Sequence, residues 1–295
     1  SANLWYAIDA DISSADIKLY LGGNRNMEIL VCVKQVPDTA EVKIDPVKHT
    51  VIRAGVPNIF NPFDQNALEA ALQLKDNQGA KVTLLSMGPP QAKDVLREGL
   101  AMGADEAYLL TDRKVGGSDT LATGYCIAQA IKKVTELKGI EKFDIILCGK
   151  QAIDGDTAQV GPQIACELGI PQITYAADLK VEGDTVTVKQ QNEEGYIVTE
   201  AKFPVLITAV KELNEPRFPT IRGTMKAKRR EIPELSADDV KADESKIGLS
   251  GSPTKVRKIF TPPQRTQGLV IPVEDDNYQA AVDTLMEKLT EQKII

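Results

Sequence analysis

Three stretches of the sequence hold the residues whose types and spacing could do chemistry. The densest is Gly149-Lys150-Gln151-Ala152-Ile153-Asp154-Gly155-Asp156-Thr157-Ala158-Gln159-Val160, which follows the apolar run DIILC at 144–148 and opens a helix-period segment over 157–168. A loop that leaves a central strand and starts a helix offers free backbone N–H groups and about half a unit of positive dipole charge, a setting for a phosphate. Gly155 permits close backbone approach or a positive φ, Thr157 and Gln159 offer donors, and Lys150 offers a point charge. The spacing is neither Walker A nor G-x-G-x-x-G. The plain alternative is a βα-loop in which Asp156 N-caps the helix.

A second loop, GGSDTLAT at 116–123, follows a strand ending at Leu110 and also opens a helix. Ser118 or Asp119 could simply cap that helix, while Thr120 and Thr123, one turn apart, could bond a ligand. The third stretch is Cys32 to Asp38 (CVKQVPD) leaving the first strand, together with Asn61-Pro62-Phe63-Asp64 at the start of a helix, where Pro62 is ordinary start chemistry. In a parallel sheet the strand ends at 32–38, 87–90, 111–120 and 149–157 converge on one crevice of nucleotide size.

The elements that must position these loops are legible as a pattern. From Met27 short apolar runs alternate with helix-period segments: strands at 29–33, 82–87, 107–110 and 144–148, helices at 64–77, 91–101, 120–137 and 157–168. This predicts an α/β protein with an open, mostly parallel sheet and helices on both faces. After Gly169 the runs 173–181, 185–191, 196–200 and 205–210 alternate apolar and polar residues around Gly-Asp and Glu-Gly turns, which predicts an antiparallel addition. From about Glu212 the chain is rich in Pro and charge. It reads as either a flexible tail or an arm laid on another subunit, and a final amphipathic segment at 277–289 favours an extended C-terminal arm (233–295). Residues 1–26 read as an extension ahead of a natural start at Met27, leaving 27–211 as the α/β nucleotide-binding domain.

Composition narrows the function classes. With 35 Lys+Arg against 42 Asp+Glu in 295 residues the net charge is −7, which gives no sequence-wide reason to meet nucleic acid. No apolar stretch approaches the roughly 18 residues of a membrane span. One His and four Cys, without C-x-x-C or H-E-x-x-H spacing, predict no metal site and suit a reducing cytoplasm. Cys126 and Cys148 read as core, and no disulfide chemistry is expected.

At these residues the sequence resembles the β subunit of electron-transfer flavoproteins. The similarity runs from Met27 to near the end: VCVKQVPD at 31–38, NPFD at 61–64, AMGAD at 101–105, GKQAIDGDTAQVG at 149–161, LNEPRFPT at 213–220, MKAKRR at 225–230 and PPQRTQG at 262–268. The resemblance implies an adenine-nucleotide α-hydrolase-like fold and an obligate heterodimer with an α subunit, over which the C-terminal arm packs. It implies no side-chain acid or base. The nucleotide contacts it implies are Cys32, Asn61 to Asp64, Met87 and Gly149 to Val160, and it makes Leu213-Asn214-Glu215-Pro216-Arg217, in a partner-recognition region at 212–232, a recognition loop with an exposed leucine anchor; without the resemblance Leu213 reads as packing at the strand end after Val210. DGDTAQV at 154–160 and GSDTLAT at 117–123 resemble the electron-bifurcating members more closely. In those, an FAD replaces a structural AMP and takes hydride from NADH. One electron then goes to ferredoxin or flavodoxin, the other through the α-subunit FAD to an acyl-CoA dehydrogenase. Ser118, Asp119, Thr120 and Thr123 would then position the flavin, and Gly155 to Gln159 would hold its pyrophosphate. The alternatives are a non-bifurcating member with structural AMP, and a stand-alone ATP-binding stress-type protein. Lys226, Lys228, Arg229 and Arg230 form a basic run that could steer an acidic partner.

Overall fold

A computed structural model describes residues 26–38, 43–44, 51–52, 57–257, 268–273 and 278–295. Residues 1–25 and the PPQRTQ portion of one family motif lie outside these. The chain divides into two compact units, one comprising 1–43 with 51–257 and the other 44–50 with 258–295.

The strands in chain order are β1 (Glu28–Cys32), β2 (Gln35–Pro37), β3 (Lys43–Ile44), β4 (Val51–Ile52), β5 (Asn58–Phe60), β6 (Lys81–Met87), β7 (Glu106–Leu110), β8 (Ile145–Gly149), β9 (Gln172–Glu182), β10 (Thr185–Asn192), β11 (Gly195–Lys202), β12 (Val205–Ala209) and β13 (Glu234–Leu235). The α-helices are α1 (Pro62–Gln78), α2 (Lys93–Met102), α3 (Thr120–Lys138), α4 (Val160–Leu168), α5 (Ile221–Arg229) and α6 (Tyr278–Glu291).

Nine strands form one sheet in the order β11-β10-β9-β12-β8-β1-β6-β7-β13. The central strands read as unbroken apolar runs because both faces are covered: Ile145, Ile146 and Leu147 of β8 are all buried, each of a size worth about 1.5–3 kcal/mol on burial. Alternate residues feed two cores. Ile29, Val31, Leu84, Ile145 and Leu147 pack with Leu68 and Leu72 of α1 and Leu96 of α2; Leu30, Leu85, Ile146 and Cys148 pack with Tyr125 and Ile131 of α3 and Ile164 of α4.

The antiparallel addition is smaller than its sequence pattern suggests. Within the nine-stranded sheet the antiparallel pairs are β9–β10 and β10–β11, so β10 alone points opposite to the other strands. The 205–210 run is instead β12, parallel to both β8 and β9 and buried throughout. Its Thr208 disguises a buried strand as an alternating one; this hydroxyl accepts from Tyr175 N at 3.0 Å. The C-terminal region is also corrected. Residues 233–257, read from composition as part of an extended arm, fold into the first unit: β13 pairs parallel with β7, and Leu235, Val240 and Ile247 enter the second core.

The second unit contains α6, whose Val282, Leu285 and Met286 are each about half exposed. Among the described residues, no helix is long and apolar enough to cross a membrane.

Candidate functional site

From β1 the chain moves outward to β6 and β7, then returns to place β8 on the other side of β1, with β12 beyond it. The strand order therefore reverses between β1 and β8, and ligands of open α/β sheets bind outside the carboxyl ends of strands at such a point. Cys32 ends β1 and Gly149 ends β8.

The loops from these two strands are sewn together by the start of α1. Asn61, the residue before α1, makes no capping bond to its own helix; its amide donates to Gln151 O at 2.9 Å and accepts from Ile153 N at 3.2 Å. Asp64, in the first turn, accepts from Lys34 N at 2.8 Å and Gly149 N at 3.0 Å. A side chain at Gly149 would run into the Phe63 backbone, 2.7 Å from an added Cβ, so glycine is required where strand and helix close together. Lys34 Nζ reaches Asp154 Oδ1 at 2.7 Å. Met87, at the end of β6, packs partly against the second core.

Electrostatics follow from this burial. Desolvation pushes the Asp64 carboxyl up to about 7, outweighing the hydrogen bonds from Asn61, Lys34 N and Gly149 N and the charge of Lys34. The Asp154 charge is offset by Lys34. An anion approaching the ends of β1 and β8 thus meets less negative charge than Asp64, Asp154 and Asp156 suggest.

The 149–160 loop differs from expectation at its helix start. α4 begins at Val160, not at Thr157, and Asp156 does not cap it: its carboxylate accepts from Gln151 Nε2 at 2.7 Å. The positive φ values fall on Asp156 (51°) and Ala158 (53°), while Gly155 lies outside the left-handed region and an added Cβ there would meet no atom within 4 Å. Two left-handed residues keep the chain from helix until Val160. As a result the backbone N–H groups of Thr157, Ala158, Gln159 and Val160 donate to no acceptor among the described residues, and α4 has no side-chain cap. The Lys150 ammonium lies 5.0 Å from the centre of the Tyr175 ring, and the ion pair to this loop's Asp154 is made by Lys34.

The second loop meets the first. Thr120 Oγ1 donates to Gln159 Oε1 at 3.0 Å and accepts from Gln163 Nε2 at 3.4 Å. Gly124 makes room, since a Cβ there would stand 2.8 Å from Gln163 Cβ. Ser118 and Asp119 are engaged within the protein. Ser118 Oγ donates to Val115 O and accepts from Gly248 N; Asp119 Oδ1 accepts from Ala122 N as the N-cap of α3, and its Oδ2 accepts from Thr254 N and Oγ1. Despite the opposing effect of burial, these bonds hold Asp119 below the usual carboxylate range. Thr123 is half-buried on the first turn of α3.

The LNEPR segment is pinned rather than free. Leu213 is not an exposed anchor: a short 3₁₀ turn, Lys211–Leu213, brings it half-buried against the first core. Asn214 Nδ2 donates to Asn66 O at 3.0 Å and Asn66 Nδ2 donates to Asn214 O at 2.7 Å. Arg217 makes a two-pronged pair with buried Glu69 (2.7 and 3.0 Å) and a third bond to Asp76 at 2.8 Å. Glu215 is exposed and Pro216 half-buried. The large apolar side chains that are exposed here are Phe218, Ile221 and Met225. Sequence reasoning missed Lys34, Asn66, Glu69, Gln163 and Thr254. For Asn66 and Glu69 a signal existed, polar residues among Ala67, Leu68, Ala70 and Leu72 on a buried helix.

Taken together, a parallel sheet with a topological switch point, free backbone donors before α4 and two polar loops that meet define an open α/β class of protein, in which ligands lie at the carboxyl ends of the strands. The model of the electron transfer flavoprotein domain matches residues 48–240. The electron transfer flavoprotein subunit beta of Megasphaera elsdenii is 84% identical over 270 residues, covering 91% of this chain and all of that protein. Subunit CarD of the caffeyl-CoA reductase-Etf complex of Acetobacterium woodii is 51% identical over 270 residues (91% and 100% covered), and the acryloyl-CoA reductase electron transfer subunit gamma of Anaerotignum propionicum 46% over 269 (89% and 99%). The chain belongs to the electron transfer flavoprotein family, as a β subunit, the partner of an α subunit.

Proposed function

We propose that the crevice between β1 and β8 is an FAD site serving electron bifurcation in the cytoplasm. NADH is the hydride donor; ferredoxin or flavodoxin and, through the FAD of the α subunit, an acyl-CoA dehydrogenase are the two acceptors. The observation that carries this reading is the row of free N–H groups from Thr157 to Val160, joined through Gln159 and Thr120 to a second polar loop. One phosphate needs fewer donors than this row offers, whereas a pyrophosphate with a polar chain beyond it would use both loops. Gly155 fits the same reading, because nothing in the chain requires its missing side chain. Relatives named for caffeyl-CoA reductase and acryloyl-CoA reductase complexes support the direction.

When bound, FAD supplies two-electron acceptance of hydride and one-electron release. The chain's own residues bind and orient. Thr157 to Val160 present donors, Lys34 holds the Asp154 charge away from the anion, and Thr120 fixes Gln159 toward the second loop. No side chain is required as acid or base. Dehydrogenase docking is placed on the segment 213–230, where Phe218, Ile221 and Met225 supply apolar contact and Lys226, Lys228, Arg229 and Arg230 supply steering charge.

The test is the FAD and AMP content per αβ unit after co-expression with the α subunit and FAD reconstitution, followed by anaerobic NADH titration. Two FAD, no AMP and bleaching by NADH are expected. One FAD with one tightly held AMP would overturn the assignment and leave an ordinary electron carrier.

A further inference from the structure

Cys32 and Cys148 are far apart in sequence, yet the fold places them side by side. β1 and β8 pair in parallel with Val31 opposite Leu147, so the next residues, Cys32 and Cys148, are neighbours across the two strands at the switch point. Neighbouring strands lie about 4.8 Å apart, within the Cα separation that a disulfide spans. Both side chains join the second core, on the same face of the sheet. Cys148 is buried and Cys32, the last residue of β1, is half-buried. Contact with the Cys32 sulfur, and then burial, push the Cys148 thiol well above its ordinary range, so Cys148 keeps its proton while leaning on Cys32.

We propose that Cys32 and Cys148 form a redox-active dithiol at the carboxyl ends of β1 and β8, with Cys32 the attacking thiol and Cys148 the resolving one. This division of labour follows from access: the partly exposed Cys32 meets a reagent first, and buried Cys148 can reach only its neighbour. The oxidant is a small-molecule disulfide. The Cys32 thiolate attacks one of its sulfurs, breaks the S–S bond, releases the first small thiol and forms a mixed disulfide. Cys148 then gives up its proton and attacks the Cys32 sulfur, releasing the second small thiol. Two S–H bonds become one S–S bond; two electrons and two protons pass to the reagent. A nucleotide seated at the ends of β1 and β8 would cover Cys32, so closure of the pair belongs to the nucleotide-free protein. Only this shielding rests on the proposed cofactor site; the pairing of the cysteines stands without it.

The αβ heterodimer, stripped of nucleotide or fully loaded with FAD, is treated anaerobically with oxidised glutathione, alkylated and digested with trypsin. Cleavage at Arg25, Lys34, Lys142 and Lys150 isolates the two cysteines in peptides 26–34 and 143–150. The expected product is these two peptides joined by a disulfide, formed at least about tenfold faster in stripped than in loaded protein. Cys148→Ser should halt at a glutathione adduct on Cys32. A stable adduct on Cys32 in the unsubstituted stripped protein, or reaction confined to exposed Cys166, would overturn the pair. Joining at equal rates in stripped and loaded protein would overturn the shielding, and with it the placement of the nucleotide, while upholding the dithiol.

Discussion

Asp64 carries two loads: it holds the β1 and β8 loops together through their amides, and it does so as a buried carboxyl that titrates at about 7. The unfolded chain loses this proton near 3.8 and the folded chain near 7, so as pH rises the unfolded state is the first to gain from ionisation. The residue's contribution to stability is therefore highest below the lower value, falls across the interval and is constant above it. The loss is on the order of 4 kcal/mol at about 1.4 kcal/mol per pH unit. Urea denaturation across this interval should show that slope in the native protein and a flatter one in Asp64→Asn; parallel slopes would remove Asp64 as the cause. Asp119 is a different kind of residue. Its oxygens cap α3 and tie down Thr254, so Asp119→Ala should cost about 1–2 kcal/mol, read as a lower Tm, whatever the ligand. Cofactor loss without a change in Tm would make it a ligand contact instead.

At the level of elements, α1 is the part on which the functional loops hang. Its buried polar residues each hold a different segment: Asp64 the crevice loops, Asn66 the backbone at 214, Glu69 the guanidinium of Arg217. Removing the Arg217 side chain leaves Glu69 buried without a counter-charge, so Arg217→Ala should destabilise by about 2 kcal/mol and loosen the segment that follows. Urea denaturation gives the first quantity, and amide exchange at 213–220 the second; unchanged exchange would mean that Asn214 alone pins the segment. On the proposed docking surface, Phe218→Ala combined with Ile221→Ala should slow electron delivery to an acyl-CoA dehydrogenase about tenfold or more with flavin content unchanged. Reaction rates at low dehydrogenase concentration check this. Reversing Lys228 and Arg229 to Glu should lower the association rate and its salt dependence together; a rate loss independent of salt would take steering out of the account.

For the whole molecule, the period of the apolar residues made the alternating strands and helices readable from β1 to α4, because a strand covered on both faces must be apolar throughout and a covering helix must be apolar on one stripe. The converging loops were readable too, since a parallel sheet puts every strand's carboxyl end at one edge. What sequence determined, then, is the layered α/β architecture, the four strand ends that meet, and, through ordered motifs, membership of a family. Only tertiary structure decided the rest. β12 has the alternating look of an edge strand, and its central place depends on β8 and β9 lying to either side. Residues 233–257 lack a core of their own and join one by pairing with β7, a contact across more than a hundred residues that no local pattern records. The start of α4 was displaced by left-handed backbone at Asp156 and Ala158, and the loop's Asp154 found its ion-pair partner in Lys34, far away in the chain. Leu213 turned inward because α1 and β9 offered apolar surface, which left Phe218 and Ile221 outside. Local chemistry fixes which residues want burial, capping or a partner; which partner each one finds is set when distant segments compete for the same space.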